Sequence, residues 1–212
     1  MTTDPAILRR EVKALLFDQY GTVVDMQGCL VEASTPFLQK KGWEGKPNSF
    51  VTWWRRTHFE NSMIDALCDR GHTPYRQIGH RAVSHVMDRA GIAYTQDEVE
   101  WLVSEIERLK PFPDVLEAAK PHIGFPFDKV MSVEEAGYFK PHWKTYAKAE
   151  ELLDIDRSGI LFVANHAFDC VGAKSFGMRT VFIDRRKRPF GDWPEQPDLI
   201  VSDFAELAEV LG

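Results

Sequence analysis

The stretch Val12-Lys13-Ala14-Leu15-Leu16-Phe17-Asp18-Gln19-Tyr20-Gly21-Thr22 constrains the fold more than any other. Five of its first six side chains are apolar, and they run without alternation into an aspartate. Such a run suits a strand buried on both faces of a parallel sheet. Ligands of open α/β sheets bind just beyond the carboxyl ends of the strands, where Asp18 emerges. Gly21 lets the chain reverse without a Cβ clash, and the Thr22 hydroxyl can hold the carboxylate. An aspartate so placed can act as a nucleophile, forming an ester that water later cleaves. The plainer reading is an aspartate that only caps the turn after a core strand.

The rest of the chain weighs between these two readings. After Thr22 the strand pattern stops. Residues 29–40, 49–68 and 74–90 read as helices, the last ending at Gly91. Thr95 and Glu98 have capping-box spacing, ahead of the helical apolar face of Val99, Leu102, Val103 and Ile106. Pro111 and Pro113 close this helical stretch. Beyond them Asp114 to Lys120 reads as a short helix and Phe127 to Ser132 as a strand. Lys140-Pro141 opens a helix carrying Tyr146, Leu152 and Leu153. Gly159 to Val163 and Thr180 to Asp184 read as buried strands flanking a helix that ends at Phe176. Leu199 to Val201 and a helix from Asp203 to Leu211 finish the chain. Strands alternating with helices argue for a doubly wound parallel α/β sheet. The expected organisation is an α/β core of residues 1–24 and 110–212, with a helical cap of residues 25–109 inserted after the first strand.

Composition narrows the function. The 212 residues are 44% hydrophobic and 27% charged, ordinary for a soluble globular protein. A net charge of −6 argues against a general nucleic-acid surface. The one basic cluster, Arg185-Arg186-Lys187-Arg188, follows a strand and reads as a solvated loop. Cys29, Cys68 and Cys170 are widely spaced and form no metal-ligand pattern. With no apolar signal core and no stretch long enough to span a membrane, the expected location is the cytoplasm.

Several segments then fall in a recognisable order: Phe17-Asp18-Gln19-Tyr20-Gly21-Thr22, Trp54-Arg55, Ser132 to Gly137 leading to Lys140-Pro141, Tyr146, and Phe162-Val163-Ala164-Asn165-His166-Ala167-Phe168-Asp169. In this the chain resembles the haloacid dehalogenase superfamily, and within it the type II (S)-2-haloacid dehalogenases, over nearly its whole length. The resemblance implies a haloacid-dehalogenase-like core with a helical cap. It implies conversion of short (S)-2-haloalkanoic acids to (R)-2-hydroxy acids through an aspartyl ester. Tyr20 stands where phosphatases of the superfamily carry a second, proton-donating aspartate. Halide is a weak base and leaves without a proton. Asn165 stands where those phosphatases have an acidic Mg²⁺ ligand, which leaves only Asp18 and Asp169 for a hard cation that favours anionic oxygen. The expected site therefore holds no metal and no cofactor.

Carried over residue by residue, the resemblance makes Asp18 the nucleophile and Arg55 the halide acceptor, a role that suits a permanently charged guanidinium. Lys140 would steady Asp18, Thr22 would orient it, and Asp169 would position Lys140 and the hydrolytic water. Gln19, Tyr20, Asn165, Tyr146 and Phe168 would line the substrate side. The plain alternatives are a surface arginine for Arg55 and a core tyrosine for Tyr146. Two departures stand out. Ala164 and His166 replace a serine and an asparagine, so His166 becomes a candidate base for the hydrolytic water, beside a carboxylate such as Asp169 or Asp25. In addition, Lys120-Pro121-His122-Ile123-Gly124 passes directly into Phe125-Pro126-Phe127, where the family has a strand ending in the hydroxyl residue of motif II. Three explanations stay open: replacement by another element, weak or absent activity, or a natural chain with a segment that this sequence does not carry. Exposure of the neighbouring strand edges favours the third. The alternatives to a dehalogenase are a superfamily phosphatase, opposed by Tyr20 and Asn165, and a catalytically dead binding protein. A signalling receiver fits poorly, for want of its acidic pair and because of the helical insertion. A homodimer is left open; no nucleic-acid or membrane partner is expected.

Overall fold

The computed structural model describes residues 3–119 and 127–212. The chain divides into two compact units, Met1–Val24 with Pro111–Gly212, and Asp25–Lys110.

The first unit is built on a parallel sheet. A short helix α1 (Pro5–Glu11), capped by the Asp4 carboxylate, leads into β1 (Ala14–Phe17). Three more strands follow late in the chain: β2 (Ile160–Ala164), β3 (Arg179–Ile183) and β4 (Leu199–Val201). They lie in the order β1-β2-β3-β4, every neighbour parallel, with Leu15 opposite Leu161 and Phe17 opposite Val163. All five residues of β2 are buried, so both faces of the sheet are covered there. On one face Phe162, Ala164 and Phe182 pack with Tyr146 and Ala149 of the helix Trp143–Leu153 and with Cys170 and Ala173 of the helix Ala167–Phe176.

β1 departs from the expectation of a strand buried on both faces. It is the edge of the sheet among the described residues, and Leu15 is 43% exposed. Nor is Phe127 to Ser132 a strand; the segment is irregular, and the Ser132 hydroxyl instead caps a one-turn helix. A run with apolar Phe127, Val130 and Met131 fits the strand pattern locally, but among the described residues it pairs with no strand of the sheet. The expected motif II position, at Lys120 to Pro126, lies outside the described residues.

The second unit is helical throughout its regular structure: α2 (Met26–Lys40), α3 (Pro47–Leu67), α4 (Tyr75–Ala90) and α5 (Gln96–Ser104). Trp54, Phe50, Ile78, Val83 and Leu102 are fully or almost fully buried. Gly91 ends α4 in the left-handed conformation, at φ 67°. The capping box of Thr95 and Glu98 is formed in both directions. α2 starts earlier than the pattern placed it, because Asp25 caps it by accepting the Gly28 N–H at 2.8 Å.

Back in the first unit, α6 (Pro113–Ala119) and α7 (Val133–Ala136) precede α8 (Trp143–Leu153). α8 begins two residues after Pro141, not at Lys140, since the His142 side chain accepts from the Lys144 N–H and makes the cap. α9 (Ala167–Phe176) crosses from β2 to β3, and α10 (Phe204–Leu211) packs on α1, α6 and β4. Among the described residues no helix is long and apolar enough to cross a membrane.

Candidate active site

The carboxyl ends of β1 and β2 bring together side chains more than a hundred residues apart. Asp18 follows β1 directly, its own N–H donating to the Val163 carbonyl at 2.9 Å. The turn beyond it is tight: the Val23 and Val24 N–H groups both donate to the Gln19 carbonyl at 3.0 Å, and Gly21 adopts φ 85°. A side chain at that φ would be strained, so a glycine belongs there. The turn returns Thr22, fully buried, beneath the carboxylate it follows.

Three groups hold Asp18. The Thr22 hydroxyl donates to its Oδ2 at 2.7 Å, and the Lys140 ammonium donates to its Oδ1 at 2.9 Å. His166 Nδ1 lies 3.6 Å from Oδ2. The Asp18 side chain keeps 13% of its exposure, so a small molecule can still meet it. Burial opposes its charge, but the Lys140 ammonium, His166 and the Thr22 hydroxyl outweigh that and hold its carboxyl well below the usual range. Asp18 is therefore ionised at neutral pH.

Lys140 also donates to Asp169 Oδ2 at 2.9 Å, so one ammonium serves two carboxylates. Burial disfavours its charge; Asp169 and Asp18 together reverse that and push its pKa above the usual lysine range. Asp169 sits in the first turn of α9, only 1% exposed. Burial raises its pKa, the Lys140 ammonium counters this, and the neighbouring Asp18 charge raises it further, leaving it above the ordinary value. Its Oδ1 accepts the Tyr146 hydroxyl at 2.7 Å. Tyr146 is itself 1% exposed, so its polar end is committed to Asp169 inside the core. Gly172 makes room for it: a Cβ there would fall 2.5 Å from the Tyr146 hydroxyl oxygen.

Asn165 is likewise committed. Its N–H donates to Thr22 Oγ1 at 2.8 Å, and its side-chain amide donates to the Ile183 carbonyl at 2.6 Å, bracing the loop after β2 against β3. His166 and Phe168 stay partly exposed, with ring centres 5.7 Å apart. Gln19 is exposed, while Tyr20 is half-buried and bridges to Val24. Arg55 belongs to the helical unit, on α3, where its Nη1 donates to Gln27 Oε1 at 2.9 Å. Thus Asp18, Thr22, Lys140, His166 and Asp169 form one connected cluster. Tyr146 and Asn165 reach that cluster from the protein interior.

Two further side chains attach to it that sequence reasoning passed over. Arg185, two residues beyond β3, donates to the Thr22 carbonyl through Nε at 3.1 Å and Nη2 at 2.9 Å. The same guanidinium makes a two-point contact with Asp114, both bonds 2.9 Å. Arg185 is only 11% exposed, so the first member of the basic run is not the solvated loop residue that the charge pattern suggested. The signal that could have singled it out is position: it alone of the four stands just past the carboxyl end of a strand.

Among the described residues no three His, Cys, Asp or Glu side chains are grouped so as to hold a metal ion. No family model matches the chain. Over 94% of its length it is 25% identical to an (S)-2-haloacid dehalogenase of Pseudomonas sp. (strain YL), of which the match covers 94%. A dehalogenase of the same name from Xanthobacter autotrophicus is 27% identical over 82% of this chain and 76% of its own. The first alignment runs over 226 positions, more than the 212 residues of this chain, so that relative carries residues without a counterpart here. In structure the chain is similar to the L-2-haloacid dehalogenase of X. autotrophicus, with a TM-score of 0.82 over 94% of this chain and 98% of that one, at 23% identity. The same enzyme solved with chloropropionic acid covalently bound gives a TM-score of 0.78.

The fold is therefore that of the haloacid dehalogenases, an α/β fold on a parallel sheet. Within that class the chain resembles the type II (S)-2-haloacid dehalogenases.

Proposed function

We propose that this protein is a hydrolase of carbon–halogen bonds that converts short (S)-2-haloalkanoic acids to (R)-2-hydroxy acids, with Asp18 as nucleophile and no metal. The observation that carries the reading is a half-buried ammonium, Lys140 Nζ, 2.9 Å from both Asp18 Oδ1 and Asp169 Oδ2. It keeps Asp18 charged at the end of β1, in a chain similar to (S)-2-haloacid dehalogenases.

A carboxylate oxygen of Asp18 attacks C2 of the substrate opposite the halogen. The carbon–halogen bond breaks with its electron pair, halide leaves, and C2 inverts as the ester forms. Halide needs no proton, so Tyr20 in place of a general acid costs nothing in this step. The resemblance gives Arg55 the role of halide acceptor, and Gln19 and Phe168 border the substrate. Water then attacks the ester carbonyl carbon. Its proton passes to His166, the partly exposed imidazole 3.6 Å from Asp18 Oδ2. The imidazolium gives that proton to the departing alkoxide oxygen, the alcohol leaves, and Asp18, now carrying one oxygen from water, releases its remaining proton to solvent and returns as the carboxylate. Asp169, held by Tyr146, keeps Lys140 against Asp18 throughout both steps.

The test is chloride release from (S)-2-chloropropionate without added metal. Asp18→Asn is expected to lower kcat by about 10³-fold or more, since the variant loses the nucleophile itself. Equal release by a folded Asp18→Asn protein removes Asp18 from the mechanism. Turnover of p-nitrophenyl phosphate with Mg²⁺, in place of haloacid, would indicate a phosphatase.

A further inference from the structure

We propose that Arg185 is a positioning residue, which sets the direction of the Thr22 hydroxyl and through it the Asp18 carboxylate. The inference rests on Asp18 being the reacting group.

A four-way junction carries it. The Arg185 guanidinium donates twice to the Thr22 carbonyl and twice to Asp114, using Nε, Nη1 and Nη2. Asp114 Oδ2 also accepts the Phe204 N–H at 2.9 Å, at the first residue of α10. The guanidinium carbon lies 4.0 Å from the centre of the Phe112 ring, so the fork is fixed in its plane as well. Burial raises the Asp114 pKa, yet Arg185 and the Phe204 N–H bring it below the ordinary value, so the pair is ionised at neutral pH.

What is fixed is the backbone of the residue whose side chain touches the nucleophile. Thr22 has two constraints of its own. Its Oγ1 donates to Asp18 Oδ2 and accepts the Asn165 N–H, which leaves the hydroxyl proton one direction. Among the described residues the backbone bonds of the turn run through Gln19, Gly21, Val23 and Val24, and the Thr22 carbonyl is held by Arg185. A side chain that only stabilised the loop could have used any surface pair. Here a planar fork spans the Thr22 carbonyl and a carboxylate at once, a geometry that a lysine ammonium does not reproduce. Reacting groups misplaced by an ångström can lose about a hundredfold in rate, so the fixing of this turn bears on chemistry.

The test uses Arg185→Lys, which keeps charge and most of the stem, in the full-length protein. Two readouts are needed. The first is amide hydrogen exchange of Asn165, whose N–H donates to Thr22 Oγ1; it is expected to quicken by about tenfold or more, while Val181 in β3 keeps its protection, the mark of a local rather than global opening. Unchanged Asn165 exchange, or equal quickening at both positions, overturns the inference whatever the substrate turns out to be. The second is steady-state halide release: kcat is expected to fall by about tenfold with KM nearly unchanged, and the loss to vanish in a Thr22→Val background. A loss that persists in full in that background also overturns it. If the parent protein releases no halide while the Asn165 exchange responds as stated, the dehalogenase reading fails and the positioning role stands.

Discussion

Asp18 and Asp169 are two aspartates given opposite tasks by their surroundings. Asp18 has a hydroxyl, an ammonium and an imidazole around it, and its pKa falls; Asp169 is buried beside another negative charge, and its pKa rises. For the raised group the sign is unfavourable at neutral pH: stability present while it is protonated is lost as pH climbs through its folded pKa. Asp169→Asn is accordingly expected to be at least as stable as the parent at pH 7, by urea midpoint, while halide release drops steeply because Lys140 loses its second anchor. A clearly lower midpoint would show that the ionised carboxylate stabilises the fold. Much at this scale was legible in the sequence: Asp18, Thr22, Lys140, His166 and Asp169 do meet. Asn165 and Tyr146 were legible as neighbours of the cluster but not in orientation. An amide beside a strand end can turn either way, and only the Ile183 carbonyl decides it. Arg185 was hidden by its neighbours, since a run of four basic residues looks solvated whichever member is paired.

Among the elements, β1 and β2 share a composition and differ in setting. An apolar run cannot announce which strand will lie at an edge; that depends on which partners arrive from elsewhere in the chain. The helices were easier to read, because Gly91 and the Thr95–Glu98 box are local signals that the structure uses as such. Phe127 to Ser132 departs from the expected strand because six residues with three apolar side chains fit that pattern locally whether or not another strand pairs with them. The difference between β1 and β2 has a measurable consequence. Leu161 in β2 is fully buried, so Leu161→Ala is expected to cost about 2–5 kcal/mol. Leu15→Ala, at the edge, is expected to cost less than about 1 kcal/mol, for its side chain keeps 43% of its exposure. Equal losses in urea unfolding would mean that the outer side of β1 is covered in solution.

Over the whole molecule, the site's charges should write themselves into the pH dependence of stability. The lowered Asp18 pKa contributes stability that is present above the unfolded value, about 3.9, and is lost as pH falls below it. The raised Lys140 pKa contributes stability present below about 10.4 and lost above it. Urea midpoints are therefore expected to sag at both ends of the pH range. Asp18→Asn should flatten the acid side and Lys140→Met the alkaline side; unaltered slopes in both variants would mean that these groups do not feel the fold. In the sequence, roughly ninety residues without a strand pattern break the alternation of the α/β segments, and the structure divides after Val24 and again after Lys110. Among the described residues no strand lies on the outer side of β1, and the motif II position expected at Lys120 to Pro126 lies outside the described residues. The central claim is that Asp18 itself bonds to the substrate, and a single turnover in ¹⁸O-labelled water tests it most directly. Label is expected in the Asp18 carboxylate, found by mass spectrometry of the peptide that carries it. Label in the product hydroxyl with none on Asp18 would mean that water attacks the substrate directly, and the aspartyl ester would have no place in the mechanism.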